Sequence, residues 1–141
     1  MIKKASALWK GGIKDGGGVI STETGVLKDA PYGFKARFED GPGTNPEELI
    51  GAAHAGCFSM ALAGMLGEAG LTAQSIETTA AVTLEKRLSG YEITASHLTV
   101  RVTIPGADRA KFEQIANAAK SGCPVSKLLK AAITMDATLE S

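Results

Sequence analysis

The sequence predicts an α+β fold: strands, a long helix, two strands, an amphipathic helix with a short helix after it, and a final strand. Three observations carry this. Residues 5–40 read as short strands cut by glycine turns. The stretch from Leu49 to Leu66 carries no formal charge over about five helical turns, and "YEITASHLTVRVTIP" alternates apolar and polar residues along its length.

The first strands come from "KDGGGVIST", a turn running into a strand, and "TGVLKDAP", a strand stopped at Pro31. "YGFKARF" alternates Tyr32, Phe34, Ala36 and Phe38 against Gly33, Lys35 and Arg37, which predicts a further strand with Arg37 on its polar face. "EDGPGT" is a loop. In "TNPEELIG", Asn45 is the expected N-cap, Pro46 takes the first helical position, and Glu47 and Glu48 place negative charge in the first turn. Glu48 falls three residues after the cap, where a carboxylate reaches back to the cap backbone. This helix is expected to run to about Ala69, roughly 24 residues or about 36 Å, with Gly70 as its stop. Its apolar residues occupy nearly every face, so it is expected to be the central, buried element.

Two long strands follow, "SIETTAAVTLEKRL" and "YEITASHLTVRVTIP", joined as a hairpin at Ser89-Gly90. In the second, Leu98, Val100, Val102 and Ile104 share one face. "DRAKFEQIANAAKSG" is an amphipathic helix with Phe112, Ile115, Ala116 and Ala119 inward and Gly122 at its end. "CPVSKLLK" starts a short helix. "AAITMDATL" closes the chain as a strand alternating at Ile133, Met135, Ala137 and Leu139.

The 141 residues suit a single domain spanning 1–141. Fifteen basic and fifteen acidic residues cancel, so no overall field favours nucleic acid or an anionic membrane. "MIKKASALWKGG" has no apolar run behind its lysines and does not read as a secretory signal, which makes the cytoplasm the expected location. Leu49 to Leu66 carries no formal charge and approaches bilayer-spanning length. Gly51, His54, Gly56, Ser59 and Gly64 dilute it, so a buried helix is the expectation.

Chemistry can rest on few residues. The two cysteines, Cys57 and Cys123, are 66 positions apart, which is neither a CxxC pair nor a zinc spacing. Cys123 precedes Pro124 and therefore caps the short helix, where backbone N–H groups favour a thiolate. Cys57 sits mid-helix among apolar residues, which leaves a thiol inert unless a cation is brought in from elsewhere. His54, one turn before Cys57, admits a second reading. His54, Cys57 and Cys123, with His97, could form a small metal- or thiol-binding module that is not an enzyme. A third reading leaves both cysteines as core residues.

"TNPEELIGAAHAGCFSMAL", "SGCPVSKLLKAAITMDATL", "STETGVLKDAPYGF" and "ARFEDGPGTNPEEL" together resemble the OsmC subfamily of the OsmC/Ohr hydroperoxide reductases, over essentially the whole chain. The resemblance implies antiparallel sheets wrapped around long central helices in an intertwined homodimer with active sites at the subunit interface. It also implies a peroxidase that reduces organic hydroperoxides without metal or other cofactor, using an external dithiol or a lipoylated protein as reductant. Cys57 then matches the peroxidatic cysteine and Cys123 the resolving one, while Arg37 and Glu48 match the pair that activates the peroxidatic thiol. Glu48 and Cys57 lie nine residues apart on one helix, a half-turn offset after two full turns. That offset suggests that Glu48 serves a site on the partner subunit.

Overall fold

A computed structural model describes all 141 residues, which divide into two compact units, Met1–Leu49 and Ile50–Ser141. The first unit holds an antiparallel sheet of β1 (Ala5–Lys10), β2 (Gly17–Thr22) and β3 (Ala30–Tyr32), then a single helical turn, α1 (Phe34–Phe38). Gly18 of β2 stands between Trp9 and Tyr32 in register. A Cβ there would lie 2.6 Å from the Tyr32 ring, so the bare glycine lets the two rings meet edge-on at 5.4 Å.

Two expected strands fold otherwise. "TGVLKDAP" is mostly turn. Gly25 takes a positive φ of 80° and Asp29 one of 50°, and the Thr22 N–H closes onto the Leu27 carbonyl at 2.9 Å. "YGFKARF" gives β3 only its tyrosine, and the rest coils into α1, with the Arg37 N–H donating to the Gly33 carbonyl. Phe34 and Phe38 fit a helical i, i+4 pair as well as a strand alternation, and their rings pack at 4.9 Å. Over five residues the two periods cannot be separated.

Helix α2 (Pro46–Glu68) begins and ends close to the expected places. The Asn45 side chain accepts from the Glu48 N–H at 2.7 Å, completing the cap. In the second unit, β4 (Ser75–Arg87) and β5 (Gly90–Thr103) form the expected antiparallel hairpin. The chain then passes through α3 (Arg109–Gly122) and α4 (Pro124–Leu128) to β6 (Ala132–Glu140). β6 pairs with β5 in parallel, so this sheet is mixed rather than purely antiparallel, as a helical crossover allows.

The core joins Phe58, Leu62 and Leu66 of α2 to Leu98, Val100 and Val102 of β5, with Ile104 just beyond it. Phe112, Ala116 and Ala119 of α3 and Cys123 complete it. Positions i, i+4 and i+8 of α2 thus supply one buried stripe, and Gly51 lets the helix approach β4, where a Cβ would stand 3.2 Å from the Ala80 carbonyl oxygen. The opposite face of α2, including Ala52, Ala53, Gly56, Met60, Ala63 and Gly64, is exposed. The helix is therefore buried on one side of a single chain, not all round. By length and composition it could cross a membrane, with a mean hydropathy of 1.6, but its buried stripe belongs to the core described above.

His54 is the polar member of that stripe. Its Nδ1 shares a hydrogen bond of 2.7 Å with the Ser96 hydroxyl of β5, and its Nε2 one of 2.8 Å with the Ser126 hydroxyl of α4. Burial pushes the imidazole below its ordinary value of 6.5. The unfolded chain therefore binds the proton first as pH falls. The stability held by neutral His54 is complete above about pH 6.5 and declines below it, towards the folded value. Urea midpoints measured at about pH 8 and pH 5.5 should show this loss, and His54→Gln should flatten it; an unchanged slope in His54→Gln would assign the loss to other groups.

Candidate active site

Cys123 ends α3 and starts α4. Its N–H donates to the Ala119 carbonyl at 3.0 Å, its carbonyl accepts from the Lys127 N–H at 3.1 Å, and Pro124 takes the first position of α4. This tight junction fixes the side chain in the core, where it is fully buried. There it meets Cys57 of α2, close enough that each thiol shifts the titration of the other. Residues 66 positions apart in sequence are thus neighbours.

Their environments differ. Burial pushes the Cys57 thiol up, and the bond to Cys123 adds to this, against one backbone N–H from Val125. Burial also pushes Cys123 up, but more donors converge on it. The Cys57 thiol, the backbone and hydroxyl of Ser126 and the backbone of Val125 together bring it below the ordinary thiol value. Cys57 is only partly buried whereas Cys123 is enclosed, so an oxidant from solvent reaches Cys57 first.

Arg37 and its carboxylate lie in the first unit. The guanidinium of Arg37 donates from Nε to Glu47 Oε1 at 2.9 Å and from Nη2 to Glu47 Oε2 at 3.2 Å, a bidentate pair. The expected partner, Glu48, is not in it. Its carboxylate accepts from the Thr44 hydroxyl at 2.8 Å and faces solvent, while Glu47 is 8% exposed. Adjacent residues on a helix point about 100° apart, so only one of the two glutamates can face α1. The Asn45 amide helps set this geometry by donating to the Ala36 carbonyl at 3.0 Å, which ties α1 to the start of α2. The half-turn argument made for Glu48 does not carry over to Glu47, which is ten residues from Cys57.

Arg37 also forms part of the wall of a cavity of about 290 Å³ that no sequence pattern foretold. Trp9, Ile13, Tyr32, Phe34 and Phe38 supply the apolar lining, and the guanidinium lies 5.4 Å from the Phe38 ring. The aromatic residues were visible in the sequence. The turn of α1 that gathers them was not.

The metal-binding reading loses its ligands. Both ring nitrogens of His54 are engaged by serines. His97 is held on the polar face of the sheet by Thr134 and Asp136.

Comparison with known proteins places the chain in a family. Residues 39–138 match the model of the family described as OsmC-like protein. The chain is 58% identical over 139 residues to the Peroxiredoxin OsmC of Escherichia coli, covering 99% of this chain and 97% of that protein. It is 33% identical over 111 residues to the organic hydroperoxide resistance protein OhrB of Bacillus subtilis, covering 78% and 79%. The crystal structure of OhrB from Bacillus subtilis superimposes with a TM-score of 0.69 at 30% identity, over 97% of this chain and 98% of that one. A paired-thiol core and an arginine–glutamate pair, in a chain this similar end to end to proteins of both branches, lead to one assignment: the protein belongs to the OsmC/Ohr family.

Proposed function

We propose that the protein is a thiol-dependent peroxidase that reduces organic hydroperoxides to alcohols in defence against oxidative stress. The observation that carries this is the contact between a partly accessible Cys57 and an enclosed Cys123. Cys57 as thiolate attacks the peroxide O–O bond, releasing the alcohol and keeping one oxygen as a sulfenic acid. Cys123 then attacks that sulfur, water leaves, and the resulting disulfide is reduced by an external dithiol, for which a lipoylated protein has suitable chemistry. No metal or other cofactor enters the cycle. In this reading Arg37 supplies the cation that Cys57 lacks in its own helix and steadies charge on the leaving alkoxide, and Glu47 orients it. The aromatic cavity beside Arg37 suits an alkyl or aryl group on the peroxide better than a small polar oxidant.

The working form is proposed to be a homodimer in the cytoplasm. Two features support the dimer. In the first unit only Ala36 and Glu47 are buried, while Leu8, Ile13 and Val26 are open, and a segment this small does not build a core alone. In the second, α2 leaves an apolar face bare, with Met60 79% exposed.

Cumene hydroperoxide added to reduced protein should remove two hydrogens per chain by mass, and Cys123→Ser should stop at a sulfenic acid on Cys57. If neither thiol reacts, the peroxidase reading fails. Glu47→Gln should lower kcat/KM for cumene hydroperoxide by roughly tenfold or more, as expected for loss of a charge-assisted bidentate pair, whereas Glu48→Gln should stay within about twofold. The reverse ranking in steady-state assays would return Glu48 to the role. Met60→Glu should yield monomers by sedimentation and lose most of the activity; a monomer with full activity would remove the dimer from the mechanism.

A further inference from the structure

The two-thiol cycle leaves His54 unused, although this histidine is fully buried beside the sulfurs and both its nitrogens are hydrogen-bonded. The direction of those bonds follows from counting hydrogens. Ser126 has one hydroxyl hydrogen; it lies three residues after Cys123, at the start of the helix that Cys123 caps, where it favours the Cys123 thiolate, and its hydroxyl is hydrogen-bonded to His54. If that hydrogen points at a sulfur bearing charge, the Ser126 oxygen must accept from His54. Nε2 then carries the imidazole hydrogen, and Nδ1 accepts from the Ser96 hydroxyl. The chain runs one way: Ser96 to His54 to Ser126 to Cys123.

We infer that His54 is a positioning residue for the resolving step, acting through Ser126. The relay from Ser96 aims the Ser126 hydroxyl at Cys123 Sγ and holds that sulfur as the thiolate that attacks Cys57. This rests on the two-thiol reading proposed above and deepens it. In the step concerned, Cys123 S⁻ forms the S–S bond as the S–O bond of the Cys57 sulfenic acid breaks. Cys123 sulfur is oxidised and Cys57 sulfur reduced by one electron each, and the departing hydroxide takes a proton to leave as water. A neutral imidazole with its hydrogen on Nε2 fills this place, and burial, which lowers the pKa of His54, favours that neutral form.

The other groups around Cys123 do not duplicate the relay. The titratable neighbours are Cys57 and, one bond further, His54, both from α2. β5 contributes uncharged Ser96 and the apolar Leu98 and Val100. α3 presents Phe112, Ala116 and Ala119 to the same core, and α4 adds only Ser126 and the Val125 backbone. Arg37, assigned above to Cys57, belongs to the preceding step.

The test is single turnover. Reduced protein receives one equivalent of cumene hydroperoxide, is acid-quenched at timed intervals between about pH 5 and 9, and is weighed, with dimedone trapping any sulfenic acid. Losing a hydrogen bond to a charged sulfur should raise the apparent pKa of disulfide formation by about one unit in Ser126→Ala and His54→Leu. Below that pKa, trapped Cys57 sulfenic acid should increase about tenfold. His54→Gln, whose amide N–H reaches towards the place of Nε2, should restore most of the wild-type profile. A purely packing role would give no such shift and no such rescue. An unshifted profile in folded Ser126→Ala overturns the inference, as does His54→Gln behaving like His54→Leu. Should His54→Leu fail to fold, Ser126→Ala and His54→Gln still decide. Wild-type protein that consumes peroxide without forming the disulfide would remove the two-thiol cycle itself, and this inference with it.

Discussion

The meeting of Cys57 and Cys123 depends on a backbone constraint more than on the sulfurs themselves. One residue closes α3 and opens α4, and its side chain has no freedom to leave the core between them. Pro124 makes the break sharp, since it cannot continue α3 but is well suited to begin a new helix. The apolar stripe Phe58, Leu62, Leu66 then sets the rotation of α2 about its axis, and that rotation brings Cys57 to the Cys123 side. Repacking Phe58 would therefore disturb the thiol pair without touching either sulfur.

The parts of the fold that could be read in advance are those with long, consistent patterns. α2, the β4–β5 hairpin, α3 and β6 each repeat their period several times, and each cap or turn residue agrees with it. The failures are short. Phe34 and Phe38 satisfy both a strand and a turn of helix, and only the tertiary setting chose the helix. The parallel pairing of β6 was hidden for another reason. The sequence of a strand reports which face is buried, not the direction of its neighbour.

Of the residues proposed for the site, Cys123 stood out through Pro124, and Cys57, Arg37 and Glu48 through resemblance, but which glutamate meets Arg37 turned on a single 100° step of helix rotation. The resemblance pointed to Glu48, which by itself reads as a capping residue three positions past Asn45. In the structure its backbone N–H meets the cap, while its side chain turns to Thr44. The capping residue and the residue that pairs with arginine are neighbours with different tasks. His54 stood out in the sequence as a candidate ligand, but its hydrogen bonds did not, because its partners, Ser96 and Ser126, are 42 and 72 residues away and carry no pattern of their own.

Neither unit by itself holds all the groups of the proposed chemistry. The second unit has both sulfurs, yet burial holds Cys57 as a thiol and no cation in its own helix opposes this. The first unit has a cation held rigidly by Glu47 against an aromatic cavity, yet it has almost no buried core. In the proposed dimer, a thiolate at Cys57 and a stable first unit make the same demand, that apolar and charged surfaces left open in one chain be covered by further protein. If activity needs the cation and folding needs the cover, a substitution that opens the assembly removes both together. On the proposed mechanism, that coupling explains why Cys57 stands on an α2 face set among alanine and glycine, where another backbone can come close, instead of being sealed inside one chain.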